Sequence, residues 1–523
     1  MPKRGPGWTT LPGWLERHWW RVLASGIALG LLAALGQAPF GIWPGTVLGL
    51  AGGYALLGAA PSLRKAALTG WAVGLGYFIL ALVWIVQPFL VEPEVYGWMA
   101  PFGLIFMAGG MALFWGAGFA LARWLSPDGR FGWIAFGVAL GAMELLRAHL
   151  FTGFPWGQPG TVWIDTPLAA LASLIGAFGL TVLSFAVAAL LWSVLARRRL
   201  MPGVGLLAAI AAAFALGTLL AHAPIPDRAE PVHLRLVQPN ATQAQKWDPE
   251  WIPVFFERAL ALTREAPVEG ASEPDLVIWP ETSIPTLLGY YPDVQVEAVD
   301  AAAPARLIAG VRRLDGRRGY NSLVLFAPSG AAEQIYDKHH LVPFGEYTPL
   351  GDLAARFGFY GMAAKDGYGY SSGPGAQVLS LPGKLGKALP LICYEAIFPR
   401  DLRDAPERAD WILQITNDGW FGSFSGPQQH LVQARFRAIE MGLPFVRAAN
   451  TGVSAVIDAH GAVLAALPLG QAGKLDADLP GALPPSVYGK YGNIPVVLLL
   501  IVAAAGLIVA RRAKYVDPRG IER

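Results

Sequence analysis

The chain is poor in two things that soluble proteins usually have in quantity, cysteine and charge. Its single cysteine, Cys393, rules out any intramolecular disulfide, so cysteine usage cannot assign a redox compartment. Charged residues make up 15% against 54% hydrophobic, and the mean hydropathy is +0.42. That balance is wrong for an ordinary soluble globule and points to several membrane spans. The formal net charge of +3 is too small to argue for a nucleic-acid partner, and 523 residues are too many for one compact domain.

What is present divides into two compositions. Residues 1–222 read as a membrane domain of seven transmembrane helices, near 22–35, 43–60, 66–91, 98–121, 132–150, 176–196 and 203–222. An eighth stretch, 494–510, lies in a C-terminal segment of residues 492–523 that ends in a cytoplasmic tail. About 20 apolar residues suffice for a helix to cross the hydrocarbon core. Basic residues cluster on alternate loops: Lys3, Arg4, Arg17 and Arg21, then Arg64 and Lys65, Arg123 and Arg130, Arg197 to Arg199, and Arg511, Arg512 and Lys514. The positive-inside rule puts these loops in the cytoplasm and the segment between spans seven and eight on the other side. A multi-pass protein of a bacterial inner membrane, with its large domain facing the periplasm, is the expectation.

That domain, residues 223–491, is charged, turn-rich and marked by short β-like runs at 232–238, 276–279, 306–311, 322–326, 389–393 and 411–416. Helical patterns at 249–266 and 428–441 alternate with them, which predicts a layered α/β fold. Three segments each place a reactive side chain beside a strand end: Ile278-Trp279-Pro280-Glu281, Lys338-His339-His340-Leu341-Val342-Pro343-Phe344-Gly345-Glu346, and Cys393-Tyr394-Glu395. These residue types fit one task. A thiol attacks as thiolate, a carboxylate can take its proton, and an ammonium steadies both the thiolate and a later oxyanion. Such a site needs no metal, cofactor or histidine.

The order Glu281, Lys338, Cys393 with these flanking motifs resembles the nitrilase superfamily. With apolar spans on both sides, the chain resembles its membrane-bound branch, the apolipoprotein N-acyltransferase family. Gln238-Pro239-Asn240, Lys246-Trp247-Asp248-Pro249, Thr416-Asn417-Asp418-Gly419-Trp420-Phe421 and Arg447-Ala448-Ala449-Asn450-Thr451-Gly452 extend the resemblance, as do Glu144, Arg147 and residues 151–156 in the membrane part. The resemblance implies an αββα sandwich and a ping-pong reaction. It makes Glu281 the general base and acid, Lys338 the oxyanion stabiliser and Cys393 the nucleophile, with Trp247, Glu346, Tyr394 and Glu395 supporting. It further implies a phospholipid acyl donor, phosphatidylethanolamine, and a diacylglyceryl apolipoprotein acceptor.

Plainer readings compete at some of these positions. Glu346 and Glu395 can serve as loop anchors, and Trp247 as a packing residue at a helix start. His339 and His340 suggest a metal, but neighbours on a strand point to opposite faces and no second ligand cluster accompanies them. Glu144 and Arg147, three apart, can pair on one helix face. Two glycine-rich aromatic stretches, 287–291 and 357–362, are candidate lids over acyl chains. The rival functions are a membrane-bound amidase or nitrilase-type hydrolase that uses water as acceptor, and a transporter with a nitrilase-like binding domain.

Overall fold

The computed structural model describes residues 18–197, 200–267, 272–348 and 369–512. The fold divides into two units, one within Met1–Ala223 and Ser486–Arg523, the other within Pro224–Pro485. The candidate lid at 357–362 lies outside the described residues.

In the first unit each apolar stretch forms a helix. These are Trp19–Ala34, Trp43–Ala59, Leu63–Ala81, Ala100–Leu125, Gly132–Arg147, Ala172–Arg197, Leu200–Ala221 and Ile494–Arg512. By length and hydropathy four segments can cross a membrane alone: Pro93–Leu125, Pro167–Arg197, Met201–Ala221 and Ile494–Arg512. Leu63–Ala81 with Val83–Leu90, bent by 49°, makes a fifth. Close helix contacts rest on glycine. A Cβ on Gly30 would lie 2.0 Å from the Val73 carbonyl oxygen, and one on Gly76 would lie 2.1 Å from that of Ile27. Without a hydrophobic drive between helices in lipid, such backbone approach supplies the packing. Glu144 and Arg147 do pair, at 2.6 Å and fully buried. Trp115 Nε1 also donates to Glu144, and Arg147 donates to the carbonyls of Phe154 and Trp156. Every charge there has partners, as a low-dielectric interior requires.

The second unit is built from two six-stranded sheets. One has the order β12-β1-β2-β3-β4-β5 and the other β11-β10-β9-β8-β7-β6. In the first are β1 (His233–Gln238), β2 (Leu276–Ile278), β3 (Arg306–Asp315), β4 (Arg318–Phe326), β5 (Ala332–Asp337) and β12 (Gly473–Asp478). In the second are β6 (Leu379–Ser380), β7 (Lys387–Ile392), β8 (Trp411–Thr416), β9 (Phe445–Ala449), β10 (Ser454–Ile457) and β11 (Val463–Leu467). Strands β1, β2 and β3 run parallel, as do β7, β8 and β9.

Period-2 alternation sorts the strand residues into two faces. Val237, Val277, Leu307, Ala309, Val311 and Val324 pack under the helices Ile252–Arg264 and Pro292–Ala302. Leu389, Leu391, Ile412, Phe445 and Ala455 pack under the helix Gly426–Met441. The remaining faces meet: Gln238 of β1 accepts from the Ser454 hydroxyl of β10 at 2.6 Å. The result is a helix–sheet–sheet–helix sandwich. Strands β5, β6 and β9 to β12 go beyond the six short runs read from the sequence, and β7 stops at Ile392, one residue before Cys393.

Candidate active site

Parallel strands deliver their C-terminal ends to one edge of a sheet, and loops leaving those ends collect polar groups. Here Glu281 follows β2, Cys393 follows β7, Asn417 follows β8 and Asn450 follows β9. Lys338 joins them directly after the antiparallel β5.

Glu281 is held on both oxygens. Asn321 Nδ2 donates to Oε1 at 2.7 Å, and the Asn417 N–H donates to Oε2 at 2.8 Å. The Lys338 ammonium is 3.7 Å from Glu281 Oε1 and 2.8 Å from Glu346 Oε1. Burial works against that ammonium, but Glu346, Glu281 and Cys393 more than offset it and hold its pKa above the ordinary lysine value. Glu346 also accepts from the Val342 N–H at 2.8 Å, so it braces both the lysine and the loop that carries it.

Cys393 opens a single turn of 3-10 helix, Cys393–Ile397, straight from β7. Its φ is +51°, a left-handed conformation that costs a non-glycine residue roughly 1–3 kcal/mol. Thr282 at +49°, next to Glu281, and Phe344 at +63°, two residues before Glu346, share that strain. The thiol is buried. Its pKa is pushed up by burial first and by the Glu281 charge second, while Lys338 and a hydrogen bond with Thr416 pull it down. At neutral pH the sulfur is therefore a thiol.

Glu395 is fully buried and accepts from the N–H groups of Ile392, His339 and His340 and from the Tyr336 hydroxyl. It clasps the cysteine turn to the segment after Lys338, which is the anchoring role. His339 and His340 sit beyond β5, not on a strand, and both reach Asp401, at 3.6 and 2.9 Å. The opposite-faces expectation for them is corrected, because the chain turns there. Tyr394 is buried with its ring edge-on to Phe398. Trp247 precedes the helix Ile252–Arg264 and is 38% exposed, with the Arg312 guanidinium 4.2 Å from its ring centroid. The loop 287–291 is tied to β3 through Leu288 N–H and the Arg312 carbonyl, leaving Tyr290 and Tyr291 exposed.

Several contributors carried no role in the sequence reading. Gly310 on β3 lets the Glu281 segment pass, since a Cβ there would lie 2.4 Å from the Thr282 nitrogen and 2.6 Å from Glu281 Cα. Lys246 is buried and donates to the Glu281 carbonyl at 2.9 Å and to Thr282 Oγ1 at 2.7 Å. Below Cys393 lies a sealed polar platform. Gln414 Nε2 donates to the Cys393 carbonyl at 2.8 Å, and His430 Nε2 is 3.1 Å from it. His430 Nδ1 is 2.9 Å from Asp418, and Arg447 pairs with Asp418 and donates to Gln414 at 2.5 Å. Burial and Arg447 keep His430 below its ordinary pKa, while Arg447 and His430 overcome burial to hold Asp418 far below the carboxylate range. The signal was present in Phe445-Val446-Arg447-Ala448-Ala449 and Trp411-Ile412-Leu413-Gln414, where a polar residue inside an apolar strand demands a buried partner.

A strained cysteine within electrostatic reach of a carboxylate and an ammonium, between two stacked sheets, defines a class: cysteine-dependent acyl-transfer enzymes of αββα architecture. Residues 29–190 match the apolipoprotein N-acyltransferase N-terminal domain, and residues 234–483 match the carbon-nitrogen hydrolase family. The chain is 39% identical to the apolipoprotein N-acyltransferase of Bradyrhizobium diazoefficiens, over 94% of this chain and 95% of that one. It is 35% identical to that of Rhodopseudomonas palustris, over 98% and 99%. A nitrilase-superfamily structure from Saccharomyces cerevisiae aligns with 49% of this chain and 91% of its own, at 17% identity and a TM-score of 0.37. The chain belongs to the apolipoprotein N-acyltransferase family.

Proposed function

We propose that this protein moves a fatty acyl chain from a membrane phospholipid, through a thioester on Cys393, to the α-amine of a diacylglyceryl-cysteine at an apolipoprotein N-terminus. The observation that carries this reading is the convergence of Glu281 and Lys338, from separate strand ends, on the strained Cys393.

Glu281 takes the thiol proton as sulfur attacks the ester carbonyl. Lys338 and the backbone N–H of Tyr394 stabilise the oxyanion. Collapse of the tetrahedral intermediate breaks the ester C–O bond, Glu281 returns the proton to the departing lysophospholipid, and the acyl group remains on sulfur. The acceptor amine then attacks the thioester, its proton passes to Glu281, and the C–S bond breaks to give an amide and a thiol. Ester to amide is downhill, so no nucleotide is required. Glu346 and Glu395 hold the lysine and the cysteine turn in place. Phosphatidylethanolamine suits the donor role, and the alternating basic loops support eight spans with the catalytic unit on the periplasmic side.

The test is intact-mass analysis after incubation with phosphatidylethanolamine. Wild type gains one acyl mass that hydroxylamine removes, and Cys393→Ala gains none. Adding a diacylglyceryl peptide should move a labelled chain to the peptide amine. Appearance of the label only as free fatty acid would instead identify a hydrolase.

A further inference from the structure

The wall of the site holds a cation that the acyl-transfer steps do not use. Arg312 lies on β3 two residues beyond Gly310 and stands directly opposite Asn321 of β4. Cross-strand partners share a face, so Arg312 is on the face that carries Gly310 and Asn321. Its neighbour Arg313 is on the other face, paired with Asp337. The guanidinium lies over the Trp247 ring. Its charge acts on Lys246 and Tyr370, and both of these also feel Glu281.

Five other arginines of this unit find acceptors, the buried Arg235, Arg437 and Arg447 on Asp476, Glu440 and Asp418 and the half-buried Arg258 and Arg435 on the carbonyls of Pro239 and Gly461. Arg312 does not. Among the described residues no carboxylate pairs with it, and its buried Nε has no hydrogen-bond partner. A half-buried guanidinium without an acceptor is costly, and its planar fork matches an anion that offers two oxygens. Trp247 holds it over one ring, and its own carbonyl ties down the loop with exposed Tyr290 and Tyr291. Charge beside aromatic surface is complementary to an amphiphile with an anionic head and apolar chains.

We propose that Arg312 is the phosphate-binding residue of the acyl-donor site, taking the phosphodiester of the glycerophospholipid whose ester reacts with Cys393. This rests on the acyl-transfer reading. The ester and the phosphodiester hang from the same glycerol, so an anion site on the wall that bears Glu281 orients the ester toward sulfur. Phosphate recognition here selects phospholipid over neutral acylglycerol.

The experiment compares acylation rates of Cys393 by intact mass, using phosphatidylethanolamine and a diacylglycerol of matched chains in mixed micelles. Wild type, Arg312→Met and Arg312→Lys are compared, with the donor ratio as readout so that a partly unfolded sample cancels. Loss of a charge-assisted contact should cut the phospholipid-to-diacylglycerol ratio of kcat/KM roughly tenfold or more in Arg312→Met. The change should sit in KM, with Arg312→Lys intermediate. Equal losses with both donors would mean that Arg312 acts only by packing on Trp247, and no loss with either would remove it from the site; both overturn the proposal. If the ratio holds while millimolar inorganic phosphate inhibits wild type and not Arg312→Met, the site takes free phosphate and the donor assignment is overturned. Failure of wild type to form any thioester with phospholipid would instead sink the acyl-transfer reading itself.

Discussion

At the scale of single residues, the site depends on groups whose chemistry is ordinary and whose surroundings are not. Gly310→Ala would push a methyl into the Glu281 backbone. It should cost about 1–3 kcal/mol of stability and, by displacing Glu281, the proposed base, roughly a hundredfold in thioester formation, read by thermal unfolding in detergent beside the acylation assay. Asp418→Asn strips the buried Arg447 of its counter-charge and should destabilise by about 3–5 kcal/mol in the same unfolding measurement. Lys246 titrates near 8 in the fold, lowered by burial from 10.5. Between those values the unfolded chain holds a proton that the native state has released, so stability rises with pH across that window. Below pH 8 the full burial cost applies. Unfolding midpoints from pH 7 to 10.5 should show this rise in wild type and a flatter profile in Lys246→Met.

At the scale of elements, helices and strands answer to different solvents. Leu200–Ala221 presents Leu207, Leu216 and Leu219 outward, at 68%, 42% and 71% exposure, which only an apolar surrounding tolerates. Leu207→Arg should hinder its insertion by up to about 2.5–3.5 kcal/mol, the cost at a span centre, visible as reduced membrane integration in a glycosylation-reporter assay. Strand β7 illustrates the opposite constraint. Lys387–Ile392 is buried almost throughout because it lies between a helix and the facing sheet, and it ends where Cys393 turns left-handed. Periodicity located that strand to within a residue or two, yet alternation has no signature for a positive φ at a cysteine.

At the scale of the whole molecule, the alternating basic loops predict which side of the membrane the catalytic unit faces. Asp293 is exposed in that unit, so Asp293→Cys in a Cys393→Ala background should react with a membrane-impermeant maleimide from the periplasmic side of intact cells. Labelling only after lysis would reverse the proposed orientation.

Composition and order settled a good deal without coordinates. Apolar runs demanded helices because an unpaired backbone cannot sit in hydrocarbon, and three motifs around Glu281, Lys338 and Cys393 marked the candidate chemistry. Tertiary structure alone decided which groups aim those side chains. Asn321, Asn417, Gly310 and the Gln414–Asp418–His430–Arg447 platform act across strand registers and between sheets, and contacts between distant stretches leave no local period in a chain. The unpaired charge of Arg312 belongs to the same category, since whether a cation has a partner is a fact of space and not of neighbouring letters.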